Sequence, residues 1–366
     1  MTIYSPNNER KRVFLASVQN LEASAEDVFA LICPTRRYEW DANWNCDLVR
    51  SDSGVAEYKA VFTVEDDERE MGGTWVVTRY DANERIHFFR MNADRVTESN
   101  WSVFTNPNGG STLHVEITES GLTDAGDAQV GAITDETFVE WVGGAAKLID
   151  ARAAKSDADR YAPNRQADGS FAAAKDLAAL VVSADAHATV PREALHSMFS
   201  PVREYEWEPK WYCQYAHNYS RDMEQGEIHQ VTDPFFADFG TWATIRCDRP
   251  ERLTHMRIND DRVTIYDWTF TPAADGGTDL HWELTDIGLN EEVAPHILVM
   301  KPDHLAKVWQ KVADQWSTYV TTGKPMEIDD SNYVGMPVYD PDTGEAMTFE
   351  KLKSIYIKHL QDTGQM

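Results

Sequence analysis

Acid–base chemistry needs a carboxylate, imidazole or phenol whose pKa is moved by burial or by neighbours. Glu206, His229 and Tyr266 have sequence surroundings of that kind and are the candidate catalytic residues. Glu206 stands in "YEWEPKWYC", where desolvation by Trp207 and Trp211 would lift its carboxyl into general-acid range; the competing reading is an ion pair with Arg203, three residues earlier. Tyr266 alternates with Trp268 and Phe270 in "RVTIYDWTF", so the three share one face of a strand. Its phenol is either a handle for a ligand or a packed group with its hydroxyl satisfied. His229 lies in "EIHQVT", and one register step decides which face it takes.

Tryptophan supplies the candidate ligand wall. Trp207, Trp211, Trp242, Trp268, Trp282 and Trp309 lie in the second half of the chain, and Trp40, Trp44, Trp75 and Trp101 in the first. Aromatic walls with a few polar handles suit a small hydrophobic or aromatic molecule. The pairs His114/Glu116 and His281/Glu283 each offer two ligands on one strand face without a third. No metal and no cofactor is expected, since nucleophile-elbow, phosphate-loop and nucleotide fingerprints are absent.

These residues are arranged by a duplication. "YEWDANWNC" begins at Tyr38 and "YEWEPKWYC" at Tyr205, and the same offset of 167 residues relates Cys46 to Cys213. The register holds from Cys33 through Leu122, with roughly a third of positions identical. It includes "GTW" at Gly73 and Gly240, "NADRVT" against "NDDRVT", and "GGSTLHVEITESGL" against "GGTDLHWELTDIGL". A period this long means two whole domains rather than a solenoid. The second copy gains Tyr212, Tyr215, His217, Tyr219, His229, Phe235, Phe236 and Phe239, which places the site mainly there.

Each copy reads as a strand, a short helix, period-two strands broken by turn residues, and a long amphipathic helix. Ser24 is a helix cap, and Pro191 suits a first helical position. Leu305, Val308, Trp309, Val312, Trp316, Tyr319 and Val320 form one apolar stripe of the second closing helix; Phe138, Trp141, Val142, Ala145, Leu148 and Ile149 form that of the first. Gly143-Gly144 inside the first predicts a gap, a kink or a close approach. The expected fold is α+β: two tandem helix-grip domains, each a curved antiparallel sheet wrapped around a long C-terminal helix. Residues 1–155 form the first domain, 156–177 a linker, 178–323 the second domain, and 324–366 a tail with a terminal helix from about Phe349.

The element order, with "CPTRRYEWDANWNC", "TWVVTRYD" and the "GL" ending at Leu122, resembles the START-like or SRPBCC superfamily. Polyketide cyclases and dehydratases, lipid-transfer domains and the plant pollen-allergen fold belong to it. The resemblance implies a cavity rather than a shared catalytic signature, so function is argued from the site. Three readings stand open: a cyclase-, dehydratase- or lyase-type acid–base enzyme, a non-catalytic carrier of a hydrophobic ligand, and a co-chaperone-like interaction module. A formal charge of -27 argues against nucleic-acid partners. The absence of an apolar leader or a long apolar run argues against membrane insertion and for a cytoplasmic location, while the oligomeric state is left open.

Overall fold

The computed structural model describes residues 10–64, 72–107, 109–155, 175, 177–208, 211, 213–218, 223–231, 240–298 and 302–326. The chain divides into two compact units between Asp176 and Leu177. Most of the expected linker, and the tail with its terminal helix, lie outside the described residues.

The first unit contains β1 (Arg12–Leu21), α1 (Ala25–Leu31), α2 (Pro34–Arg37), β2 (Cys46–Arg50), β3 (Val61–Val64), β4 (Gly73–Asp81), β5 (Arg85–Met91), β6 (Arg95–Thr105), β7 (Ser111–Gly121), α3 (Asp124–Gly131) and α4 (Asp135–Ala153). The second repeats this plan as β8 (Ala179–Ala188), α5 (Arg192–Leu195), α6 (Pro201–Trp207), β9 (Gln214–His217), β10 (Ile228–Val231), β11 (Gly240–Asp248), β12 (Arg252–Ile258), β13 (Arg262–Pro272), β14 (Thr278–Gly288), α7 (Ala294–Leu298) and α8 (Pro302–Thr322). Each unit has a seven-stranded antiparallel sheet, ordered β1-β7-β6-β5-β4-β3-β2 and β8-β14-β13-β12-β11-β10-β9. The fold class is α+β with two sheets, as expected. Among the described residues, no helix is long and apolar enough to cross a membrane.

Strand alternation sets the faces. Along β7, Leu113, Val115 and Ile117 are buried while His114 and Glu116 are half-buried on the other side. Ser24 caps α1 by accepting from the Asp27 amide. Pro191, by contrast, is the cap residue ahead of α5 rather than its first residue. The glycine of each "GTW" has a structural reason: Gly73 and Gly240 take φ of +136° and +135°, and a Cβ at Gly73 would collide with the Met91 carbonyl.

Closing helix and first turn are fastened in the same way in both units. Asp150 of α4 accepts from the Glu22 and Ala23 amides, and Ser317 of α8 accepts from the Thr189 amide. Phe138, Val142, Ala145 and Ile149 of α4 enter the same core as Val77, Trp101 and Val115 of the sheet, whereas Trp141 and Leu148 of the expected stripe are exposed, since six residues cover more of the helix circumference than the sheet does. Gly143 and Gly144 lie within an uninterrupted helical run. A Cβ at Gly143 would meet only the Gln19 side chain at 3.8 Å, and one at Gly144 nothing within 4 Å. The expected kink and close approach are therefore corrected, since α4 is continuous; of the three alternatives the gap remains, with room at both glycines.

Candidate ligand site

The repeated "YEWxxxWxC" segment is a knot of side chain to main chain. The Tyr38 hydroxyl accepts from the Cys46 amide at 2.5 Å and donates to its carbonyl at 2.7 Å; Tyr205 does the same to Cys213 at 2.9 and 2.8 Å. Indole N–H groups of Trp40 and Trp44 donate to the Leu31 and Pro34 carbonyls, those of Trp207 and Trp211 to Met198 and Pro201. The motif recurs because it ties the chain after the first helices to the sheet.

Glu206 corrects its expected role. Its carboxylate is 39% exposed and pairs with Arg203 at 3.1 Å, so Trp207 and Trp211 do not desolvate it. Adjacent helical side chains point about 100° apart, and burying Trp207 turns Glu206 outward. In the first unit the equivalent Glu39 is buried, since Arg152 of α4 reaches it; the equivalent position of α8 carries Tyr319, which offers no cation.

A cavity of about 280 Å³ lies in the first unit. Two cross-strand rows of β5, β6 and β7, with Trp101 beyond them, form one wall. The first row is Arg90, Thr97 and Glu119, and the second Phe88, Ser99 and Ile117; Ile86 and Val115, the row partners of Trp101, are buried behind the lining. The wall thus runs from charged to apolar. At the polar end, Arg90 donates to Thr97 Oγ1 at 2.8 Å and to Glu119 Oε1 at 3.1 Å, and Arg95 stands 3.9 Å from Glu119. Trp40, Trp75, Phe138 and Trp141 complete the lining, with Arg37 held to Asp41 beneath the Trp44 ring. Trp141, 36% exposed, stacks on Phe138 and meets Trp101 edge-on.

The second unit carries the same polar row: Arg257 donates to Thr264, Thr264 donates to Asp286, and Arg262 lies 3.4 Å from Asp286. Burial pushes the Asp286 carboxyl up against the pull of both guanidinium groups. Beyond that row the units diverge in size. Ser99, Val115, Val142 and Ile149 of the first unit correspond to Tyr266, Trp282, Trp309 and Trp316. Those larger rings pack on one another: Trp268 meets Trp309 at 4.3 Å between centroids, Trp282 meets Trp309 at 4.7 Å, and Phe199 meets Trp316 at 4.3 Å.

His229 pairs with Trp242 across β10 and β11, which fixes its facing. Rings of His229, Trp242, Tyr266 and Trp282 stack in sequence at 5.8, 5.0 and 6.3 Å. Strand register thus brings His229, Trp242, Tyr266 and Trp282 of the sequence candidates side by side. Burial holds His229 well below its ordinary pKa despite Glu227 at 3.7 Å, and His255 falls to about 3 for the same reason. Tyr212, Tyr219, Phe235, Phe236 and Phe239 lie outside the described residues.

The His-x-Glu pairs stay on the other face. His114 is 3.9 Å from Glu116, whereas His281 bonds Asp185 rather than Glu283. Sequence reasoning overlooked Arg90, Arg95, Thr97 and Glu119. A signal was present, for Arg95 and Thr97 lie in the repeated "NADRVT", and Arg90 and Glu119 keep charge type at Arg257 and Asp286.

Sheet order, the helices between first and second strands, and the helix after the seventh define one helix-and-sheet fold carried twice. No family model and no curated protein matches the chain. Among solved structures, it is similar to DynU16, a putative protein of the dynemicin biosynthetic locus, at 14% identity over 85% of this chain and 97% of that one, TM-score 0.29. It is similar to the di-domain ARO/CYC BexL from the BE-7585A pathway at 10% identity, covering 87% of this chain and all of that one, TM-score 0.30. Ara h 8.0201 is similar at 12% identity over 39% of this chain and 98% of its own, TM-score 0.31. At these identities and scores the likeness speaks to neither ligand nor reaction.

Proposed function

We propose that the protein binds a small, mostly apolar, ring-containing molecule in its first domain, gripped between the sheet and α4. The observation that carries this reading is the cavity of about 280 Å³ lined by Phe88, Trp101, Phe138 and Trp141 with a polar row at one end. Its size falls just below the roughly 300–1,000 Å³ of sites for drug-sized ligands, which suits one or two rings. The units of the proposal are the helix-grip domains of residues 1–155 and 178–323, with the second serving mainly as a filled partner copy. Native mass spectrometry of the gently purified full chain tests it. One small molecule per chain, released on denaturation, is expected; a bare chain that also fails to bind naphthalene-sized rings contradicts it.

The stacked His229, Trp242, Tyr266 and Trp282 favour a second reading, a cyclase-, dehydratase- or lyase-type acid–base site in the second domain using His229 and Tyr266. Turnover separates the two. A bound molecule recovered unchanged favours the binder, and conversion abolished by Tyr266→Phe favours the enzyme.

A further inference from the structure

We infer that the ligand of the first-domain cavity is an aromatic carbonyl compound, ketone or carboxylate, that turns its oxygen toward Thr97 and Ser99. This rests on the cavity reading above and adds the chemistry of the bound end. A hydroxyl carries one proton to give and two lone pairs to receive. Ser99 Oγ accepts the Trp101 indole N–H at 2.8 Å, and Thr97 Oγ1 accepts Arg90 at 2.8 and 3.2 Å. Indole and guanidinium only donate, so each hydroxyl is held as an acceptor on one side and has its own proton left to give.

Both hydroxyls line the cavity from alternate positions of β6, hence from the same strand face. The other polar lining groups agree. Arg90 and Arg95 are donors, and Thr137 closes its hydroxyl on Thr134 in the helix cap; Glu119 gives Oε1 to Arg90, while its Oε2 stands 3.9 Å from Arg95 without a hydrogen bond. Oxygen acceptors complement the two hydroxyls and the two guanidinium groups, and Glu119 Oε2 is the one acceptor of the polar row against which the amine in the test below is compared. The apolar lining beyond Ser99, ending in Trp101 and Phe138, receives the rings. The second domain differs at these two positions: Thr264 donates to Asp286, and Tyr266 replaces Ser99.

The test is calorimetric titration of the full-length protein with 2-acetonaphthone, 2-naphthoate, naphthalene and 2-naphthylmethylamine. The ketone or the carboxylate should bind about tenfold tighter than naphthalene and than the amine, as one or two hydrogen bonds to a matched acceptor provide. Ser99→Ala should weaken the better oxygen ligand about fivefold and leave naphthalene unchanged. Equal affinity across the four, or preference for the amine or naphthalene, overturns the inference while leaving the cavity reading intact. So does a Ser99→Ala effect equal for oxygen ligand and naphthalene. Failure of all four to bind the wild-type protein overturns both. The wild-type ranking stands by itself should Ser99→Ala not fold.

Discussion

In the first domain, Arg152 Nη2 donates to Glu39 Oε2 at 2.8 Å, with the two side chains 3% and 0% exposed. The contact joins the last turn of α4 to the segment after α2, where Arg36 also holds Glu39 at 2.7 Å. Removing Arg152 takes one of two guanidinium partners from a fully buried carboxylate and leaves Arg36 as the other, so the loss is smaller than for a pair broken outright. Arg152→Ala should cost about 2 kcal/mol in urea unfolding of the first domain. Glu206→Ala, at the exposed equivalent position, should cost under about 1 kcal/mol. Equal losses at both would contradict the contrast.

Gly143 and Gly144 lie in continuous helix with space for a methyl group at each. Replacing either with Ala should stabilise the protein by about 1 kcal/mol, because Ala loses less conformational freedom in a helix. A lower unfolding midpoint for the double variant would show that the glycines serve packing.

His87 is half-buried and His255 buried, and desolvation lowers their pKa values to about 4 and about 3. Unfolded histidine binds its proton near 6.5, so below that pH the unfolded chain takes up protons that the folded one refuses. Stability should be flat in these groups above pH 6.5 and fall as pH drops from 6.5 toward 4 and 3. At pH 5 each should cost about 2 kcal/mol. His255→Phe, which installs the residue found at the equivalent Phe88, should remove its share of that slope. A variant whose urea midpoint falls as steeply as wild type between pH 7 and pH 5 would rule this out.

The duplication, the faces of β7 and β13 and the aromatic cluster around Tyr266 were legible because each rests on period and offset along the chain. The row of Arg90, Thr97 and Glu119 was not, since it joins three strands through register alone. Tyrosine and tryptophan enrichment in the second copy reads in sequence as a ligand wall. In space, Trp268, Trp282, Trp309 and Trp316 pack against one another and against Phe199. At the position of Val142 the second closing helix carries Trp309, which packs on Trp268 and Trp282, and nothing in the periodicity of either strand announces that contact.

The central claim is that the ligand sits in the first domain. Ser99→Tyr transplants the second-domain residue into the cavity wall, and Tyr266→Phe removes one hydroxyl from the second domain. Titration of both variants with 2-acetonaphthone, followed by tryptophan fluorescence, measures the claim directly. Ser99→Tyr should lose at least tenfold in affinity, about 1.4 kcal/mol, with Tyr266→Phe matching wild type. Undiminished binding in Ser99→Tyr together with a loss in Tyr266→Phe would move the site to the second domain and contradict the account.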